Sequence, residues 1–274
     1  MSEINLRKAS HRVAAGAAMA LAMAATPAMA DEYWQFSLGA DYSSGDYGDV
    51  ADTEMLAVPV GVKYQGDNVW FRASVPYVRI KGPQGVIPGD GGVSPGNGNG
   101  NGGGGGDTVV IDTRSGVGDV NLAAGYTLPI GDATWFDVIG KVKLPTASKS
   151  KFLGTGTTDF TAEGELLHSF GAVSAAVRGG RRFNGSNELY PLQDVWQAGA
   201  GIYAKAGPQL SLGLDYEWRE GALTTSPDRS EATASATYKV SPALLLQGYG
   251  YTGFADGSPD AGGGIQILYR IGAN

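Results

Sequence analysis

Lys63, Arg72, Asp119, Lys141, Lys143, Asp159, Glu163, Glu165, Arg178, Arg182, Asp215 and Glu217 are the residues of this chain whose types and spacing could do chemistry. Each sits at an alternate position of an oily segment. In an extended strand successive side chains point to opposite faces, so these charges share the face that the apolar residues leave. Both signs are present. Such a set can line a polar lumen and set its local field, or close that lumen with salt bridges. Asp41, Asp137, Lys205, Arg219, Lys239 and Arg270 fall on the same face by the same rule.

Covalent chemistry finds no support. The chain has two histidines, and a serine nucleophile needs one as its base, oriented by a third polar group. His11 lies in the N-terminal leader, and His168 falls on the oily face beside Leu166 and Phe170. Glu163 and Glu165 share a face as any alternate pair in a strand does. The Gly-x-Gly of SGVGDV, at 115–120, is not followed by a helical pattern, which a phosphate cradle requires. With no cysteine there are no disulfides, thiolate metal sites or cysteine nucleophiles. The expectation is no catalytic residue, no cofactor and no metal. Asn184-Gly185-Ser186 fits the glycosylation pattern, but nothing else here gives a reason for its use.

The elements that position these charges are strands. At 115–130, Val120, Leu122, Ala124, Tyr126 and Leu128 alternate with Asp119, Asn121, Ala123, Gly125 and Thr127. At 210–219, Leu210, Leu212, Leu214, Tyr216 and Trp218 alternate with Ser211, Gly213, Asp215, Glu217 and Arg219. Period-two alternation bounded by Gly, Pro, Asn and Asp predicts twelve strands. They cover 33–42, 54–64, 69–80, 117–128, 134–145, 159–169, 172–183, 195–205, 210–220, 231–240, 244–253 and 263–271. Short joins alternate with long polar ones at 43–53, 81–116, 146–158, 184–194, 221–230 and 254–262. This asymmetry, the even count and the oily outside predict an all-β fold, a transmembrane antiparallel up-and-down barrel with short periplasmic turns and long extracellular loops. A miscounted hairpin gives ten or fourteen strands. A turn over Ser169 to Ala172 sets Glu163 opposite Arg178 and Asp159 opposite Arg182.

Arg7, Lys8 and Arg12 precede an apolar run from Val13 that ends at Ala28-Met29-Ala30, the pattern of a secretory signal cleaved after Ala30. Residues 31–274 then form one barrel domain. The leader carries three basic residues and one acidic one, so the net charge of −7 for the whole chain becomes −9 without it. That balance argues against a nucleic-acid partner. The long join at 81–116 holds 13 of the 44 glycines between Gly82 and Gly106, a tract with little to bury and a high ordering entropy. Its aspartates lack the regular spacing of calcium-binding repeats.

Aromatic residues gather toward the strand ends: Trp34, Phe36, Tyr64, Phe71, Tyr77, Tyr126, Phe136, Trp196, Tyr216, Trp218, Tyr238 and Tyr269. Rings with polar edges suit the two membrane interfaces.

The motif SGVGDVNLAAGYTL, followed by KVKLPTA and then SKSKFLGTGTTDF, resembles a family of Gram-negative outer-membrane proteins named for the meta-pathway of phenol degradation. The resemblance is specific over 115–166 and is one of strand pattern over 31–271. It implies an outer-membrane barrel with a proposed role in passing small, often aromatic or hydrophobic, compounds, and it implies no catalytic residues. The expected partners are outer-membrane lipid, the barrel assembly machinery and a small-molecule solute, and the sequence leaves oligomeric state open. The expected function is passive transport of small solutes. The alternatives are a closed structural or surface-interaction barrel and, behind it, a membrane hydrolase. Outer-membrane barrels end their last strand on an aromatic residue, whereas here Tyr269 is followed by Arg270 and Ile271. Tyr269 is expected to take that part.

Overall fold

The computed structural model describes residues 32–49, 51–83 and 110–272. The leader at 1–30 and the glycine tract at 97–107 lie outside the described residues. Among the described residues, thirteen strands form one antiparallel sheet: β1 (Tyr33–Gly45), β2 (Thr53–Gln65), β3 (Val69–Pro83), β4 (Ile111–Val117), β5 (Val120–Gly131), β6 (Thr134–Leu144), β7 (Asp159–Ser169), β8 (Val173–Phe183), β9 (Val195–Lys205), β10 (Leu210–Arg219), β11 (Arg229–Lys239), β12 (Leu244–Gly253) and β13 (Ala261–Ile271). Consecutive strands pair in turn, except that β3 pairs with both β4 and β5 and β4 pairs with β3 alone; β1 pairs with β13, so the wall closes on itself.

The barrel wall has twelve strands, because β4 and β5 are two halves of one. β5 pairs with Val69–Ser74 of β3, and β4 pairs with Tyr77–Pro83 of the same strand. Between them the register slips by one residue at Gly118-Asp119, where the Gly118 N–H bonds the Pro76 carbonyl at 2.8 Å. A one-residue bulge flips every side chain beyond it. Val117 therefore points outward although it is odd, while the outward residues of β5, such as Leu122 and Tyr126, are even. The expected loop at 81–116 is corrected accordingly. Its first and last residues extend the β3–β4 ladder, and alternation hid this because the bulge reverses parity.

Outward side chains are apolar along the wall, and rings collect at its two ends. Trp34, Phe36, Tyr64, Phe71, Tyr126, Tyr238 and Tyr269 lie toward the short turns. Tyr42, Tyr77, Phe160, Phe183, Trp196 and Tyr216 lie toward the long connections. Trp34 and Tyr64 touch, with ring centroids 5.1 Å apart. His168 faces outward in the short-turn ring, its Nδ1 2.7 Å from the Thr134 hydroxyl and its ring edge-on to Phe170.

One expected register is corrected. β7 and β8 meet through a two-residue turn, Gly171-Ala172, closed by a Phe170 N–H bond to the Val173 carbonyl at 2.7 Å. Gly171 has φ 86°, which suits the first central position of a II′ turn. The turn centre lies one residue later than expected, so Arg178 stands opposite Glu165 and Arg182 opposite Thr161.

Candidate functional site

The inward face encloses a cavity of about 360 Å³, toward the long-connection end. Toward the long connections its wall on β2 and β3 is apolar, from Met55, Ala57, Pro59, Pro76 and Val78; farther down, β3 adds Ser74, Arg72 and Trp70. Across from it stand Asp119, Lys141, Lys143, Asp159, Arg182 and Glu217. The connection between β6 and β7 folds over this end. It turns through a short 3-10 segment, Lys149–Lys151, and Phe152 takes a left-handed conformation with φ 51°. Leu153 is thereby buried with Met55, Ala57, Val78, Ile80, Tyr47 and Ala147. Arg114 on β4 holds the segment through its Nε–H, donated to the Phe152 carbonyl at 3.2 Å, while an Nη1–H is donated to the Pro83 carbonyl at the end of β3 at 3.1 Å.

Charges on the polar wall are matched. Lys143 lies 2.7 Å from Asp159 and 3.8 Å from Asp119, and it donates to the Thr155 hydroxyl at 3.0 Å. Arg182 reaches the same Asp159 oxygen at 2.5 Å, and Asp159 also accepts the Gly185 N–H at 3.0 Å. With Asp159 only 2 % exposed, these bonds replace its water. Asp119 accepts the Ala147 N–H at 2.8 Å, which ties the overlying segment to the bulge. Lys141 bonds Glu163 at 3.0 and 3.1 Å, and Gln197 donates to the same carboxylate at 2.5 Å. Arg178 lies 3.1 Å from Asp215, 3.9 Å from Glu217 and 4.0 Å from Glu165. Arg229 pairs with Glu231.

The structure thus keeps Asp159 with Arg182, as a diagonal pair rather than directly opposite. It separates Glu163 from Arg178, and each finds another partner. Side chains long enough to span the diagonal choose by reach and not by rung.

Lys63 and Arg72 sit apart from that network, nearer the short turns, as register partners across β2 and β3. Their charged groups lie 5.6 and 5.7 Å from the centre of the inward-pointing Trp70 ring. Arg270 on β13 lies nearby over Tyr33 at 4.7 Å and donates to Gln35 at 2.9 Å. A smaller cavity of about 50 Å³ is lined by Lys63, Arg72, Ser74 and Tyr33, and Arg72 and Ser74 also line the larger one.

Several inward groups escape sequence reading. Tyr249 and Tyr251 donate to Asp41 at 2.8 and 3.0 Å, and Tyr203 donates to Asp215 at 2.6 Å. Their parity marks them as inward, but aromatic residues in such strands read first as interface residues. Tyr190, in the connection after β8, packs with Leu192, Val195, Ala222 and Leu223. Burial raises its hydroxyl above the ordinary tyrosine value, against a smaller opposing effect from Arg114.

No group of three or more metal-ligating side chains is present among the described residues, and no described helix is long and apolar enough to cross a membrane. No family model matches the chain, and no curated protein does. Similarity appears in solved structures. A Pseudomonas putida F1 outer-membrane channel matches with a TM-score of 0.64 and 12% identity, over 89% of this chain and 96% of that one. The NanC porin matches with a TM-score of 0.56 and 9% identity, over 85% and 98%. The KdgM porin, in a complex with disordered oligogalacturonate, matches with a TM-score of 0.50 and 8% identity, over 85% and 98%. The chain has the fold of an outer-membrane channel barrel.

Proposed function

We propose that this protein is a channel of the Gram-negative outer membrane that passes small solutes by passive diffusion. The observation that carries the reading is the inversion of the fold. A closed twelve-strand wall turns its apolar residues and two rings of aromatics outward and its charges inward around a cavity. An apolar band about 25 Å tall between aromatic girdles suits a bilayer. The secretory leader, the expected cleavage after Ala30 and the shared fold with outer-membrane channels support the location. The apolar wall of Met55, Ala57, Pro59, Pro76 and Val78 supports solutes with an oily body. That agrees with the resemblance to the phenol-degradation family and its aromatic or hydrophobic compounds. Asp119, Lys141, Lys143, Asp159, Glu163, Glu165, Arg178, Arg182, Asp215 and Glu217 set the field on the polar wall in this reading. Lys63 and Arg72 set it near the short turns. No covalent step is assigned, and the assembly machinery acts on Tyr269 in the last strand.

A closed barrel is the second reading. It is favoured by the segment that buries Leu153 and Thr155 and by the matched pairs below them. Planar-bilayer conductance of protein extracted folded from outer membranes separates the two. Discrete current steps, lost on heat denaturation, are the expected result. Silence from protein that still shows a heat-modifiable gel mobility breaks the channel reading.

A further inference from the structure

The lumenal cations divide into two groups. Lys141, Lys143, Arg178, Arg182 and Arg229 each lie within 4.0 Å of a carboxylate. Among the described residues, Lys63 and Arg72 have no carboxylate that close. Each rests on the Trp70 ring, and across the ladder they face one another, where like charges repel. Asp137 on β6 acts on Lys63 from beyond ion-pair distance, and Arg270 adds a third positive group while held by Gln35 and Tyr33.

The arrangement is built and not accidental. Trp70 stands opposite Gly125, where a Cβ would lie 2.4 Å from the ring, so only glycine lets the ring lie against β5. The ring in turn carries both cations. Two like charges fixed together on a wall without a matched carboxylate form a receptor for an anion, and a guanidinium offers a carboxylate two parallel bonds.

The cavity names the rest of the ligand. From Lys63 to Pro59, and from Arg72 to Pro76, is four residues, about 13 Å of strand. Ser74 stands between Arg72 and Pro76, and one cavity runs past Trp70, Arg72 and Ser74 to Pro59 and Pro76. Above it the wall is apolar, with Pro59, Pro76, Ala57 and Val78, which a bare inorganic anion would not use.

We propose that Lys63 and Arg72, carried on Trp70, bind the carboxylate of a small organic acid whose apolar body lies along Pro59 and Pro76. The site deepens the channel reading and rests on it only in that the ligand must reach the lumen.

Equilibrium dialysis of radiolabelled benzoate against the folded barrel in detergent tests the site without needing a conducting pore. Benzoate is expected to bind saturably, at one site. Lys63→Gln and Arg72→Gln should each weaken it about tenfold, as loss of one charge-assisted bond does, and the double variant should abolish it. Lys63→Arg should retain binding, and heat-modifiable mobility should show every variant folded. Neutral benzyl alcohol should not compete. The proposal is overturned if benzoate does not bind, if the double variant binds as the parent does, or if phosphate or benzyl alcohol competes as well as benzoate. A silent bilayer with benzoate binding intact supports the site and breaks the channel reading. Conduction without benzoate binding overturns the site and leaves the channel.

Discussion

At the long-connection end of the lumen, Lys143 and Arg182 share Asp159, and a folded segment lies over the three. At the short-turn end, Lys63 and Arg72 share an indole ring. The same residue types occupy the same inward face of the same sheet. What differs is whether a carboxylate stands within reach, and that decides whether a cation holds the fold together or waits for a ligand.

The two ends should therefore respond to charge removal with opposite sign. The largest effect is expected for Asp159→Ala, which leaves the partly buried Lys143 and Arg182 without their shared carboxylate, with Asp119 3.8 Å from Lys143. It should cost about 3 kcal/mol or more, measured as a lower urea midpoint of unfolding in detergent. A loss too small to measure would mean that water enters that end and screens the pair.

Next in size is Gly125→Val, which drives the Trp70 ring from β5 without altering any charge. Overpacking of this kind costs about 1–3 kcal/mol, and the same variant should weaken benzoate binding. Unchanged benzoate affinity would show that Trp70 does not position the cations. Reversal of both Lys141 and Lys143 to glutamate should move the reversal potential in a salt gradient toward cations, because both line the cavity. An unmoved potential would place the conducting path elsewhere.

The smallest effect sharpens the comparison most. Lys63→Gln relieves repulsion of Arg72 and should leave the urea midpoint unchanged or raise it, by about 0.2–1 kcal/mol. A clear destabilisation would mean that Lys63 already has a counterion. For assembly, the control for Tyr269→Ala must be an outward-facing tyrosine such as Tyr238. Tyr249 bonds Asp41 inside the barrel, whereas Tyr238 and Tyr269 both face outward at the short-turn end. Tyr269→Ala should lower the folded fraction recovered from outer membranes more than Tyr238→Ala does.

Much of the fold was legible from local pattern. Tyr216 against Asp215, or Val60 against Pro59, is enough to assign a face, because alternation is a property of each strand alone. The long and short connections follow from where glycine, proline, asparagine and aspartate interrupt that alternation. The pattern failed at Gly118-Asp119, where a bulge reverses parity, and at Gly171, where moving the turn centre by one residue moves the facing partner by two.

The sequence by itself determined the strands, their inward and outward faces and the inward position of charges such as Lys143, Asp159, Arg182, Lys63 and Arg72. Only the tertiary structure decided which of them meet. Arg178 finds Asp215 two strands away, Glu163 finds Lys141 and Gln197 on opposite sides, and Leu153 returns from a loop to cover the apolar wall. The physical reason is closure. Joining β1 to β13 brings residues from distant parts of the chain around one lumen, and their pairing depends on register and side-chain reach across it, which local alternation does not encode.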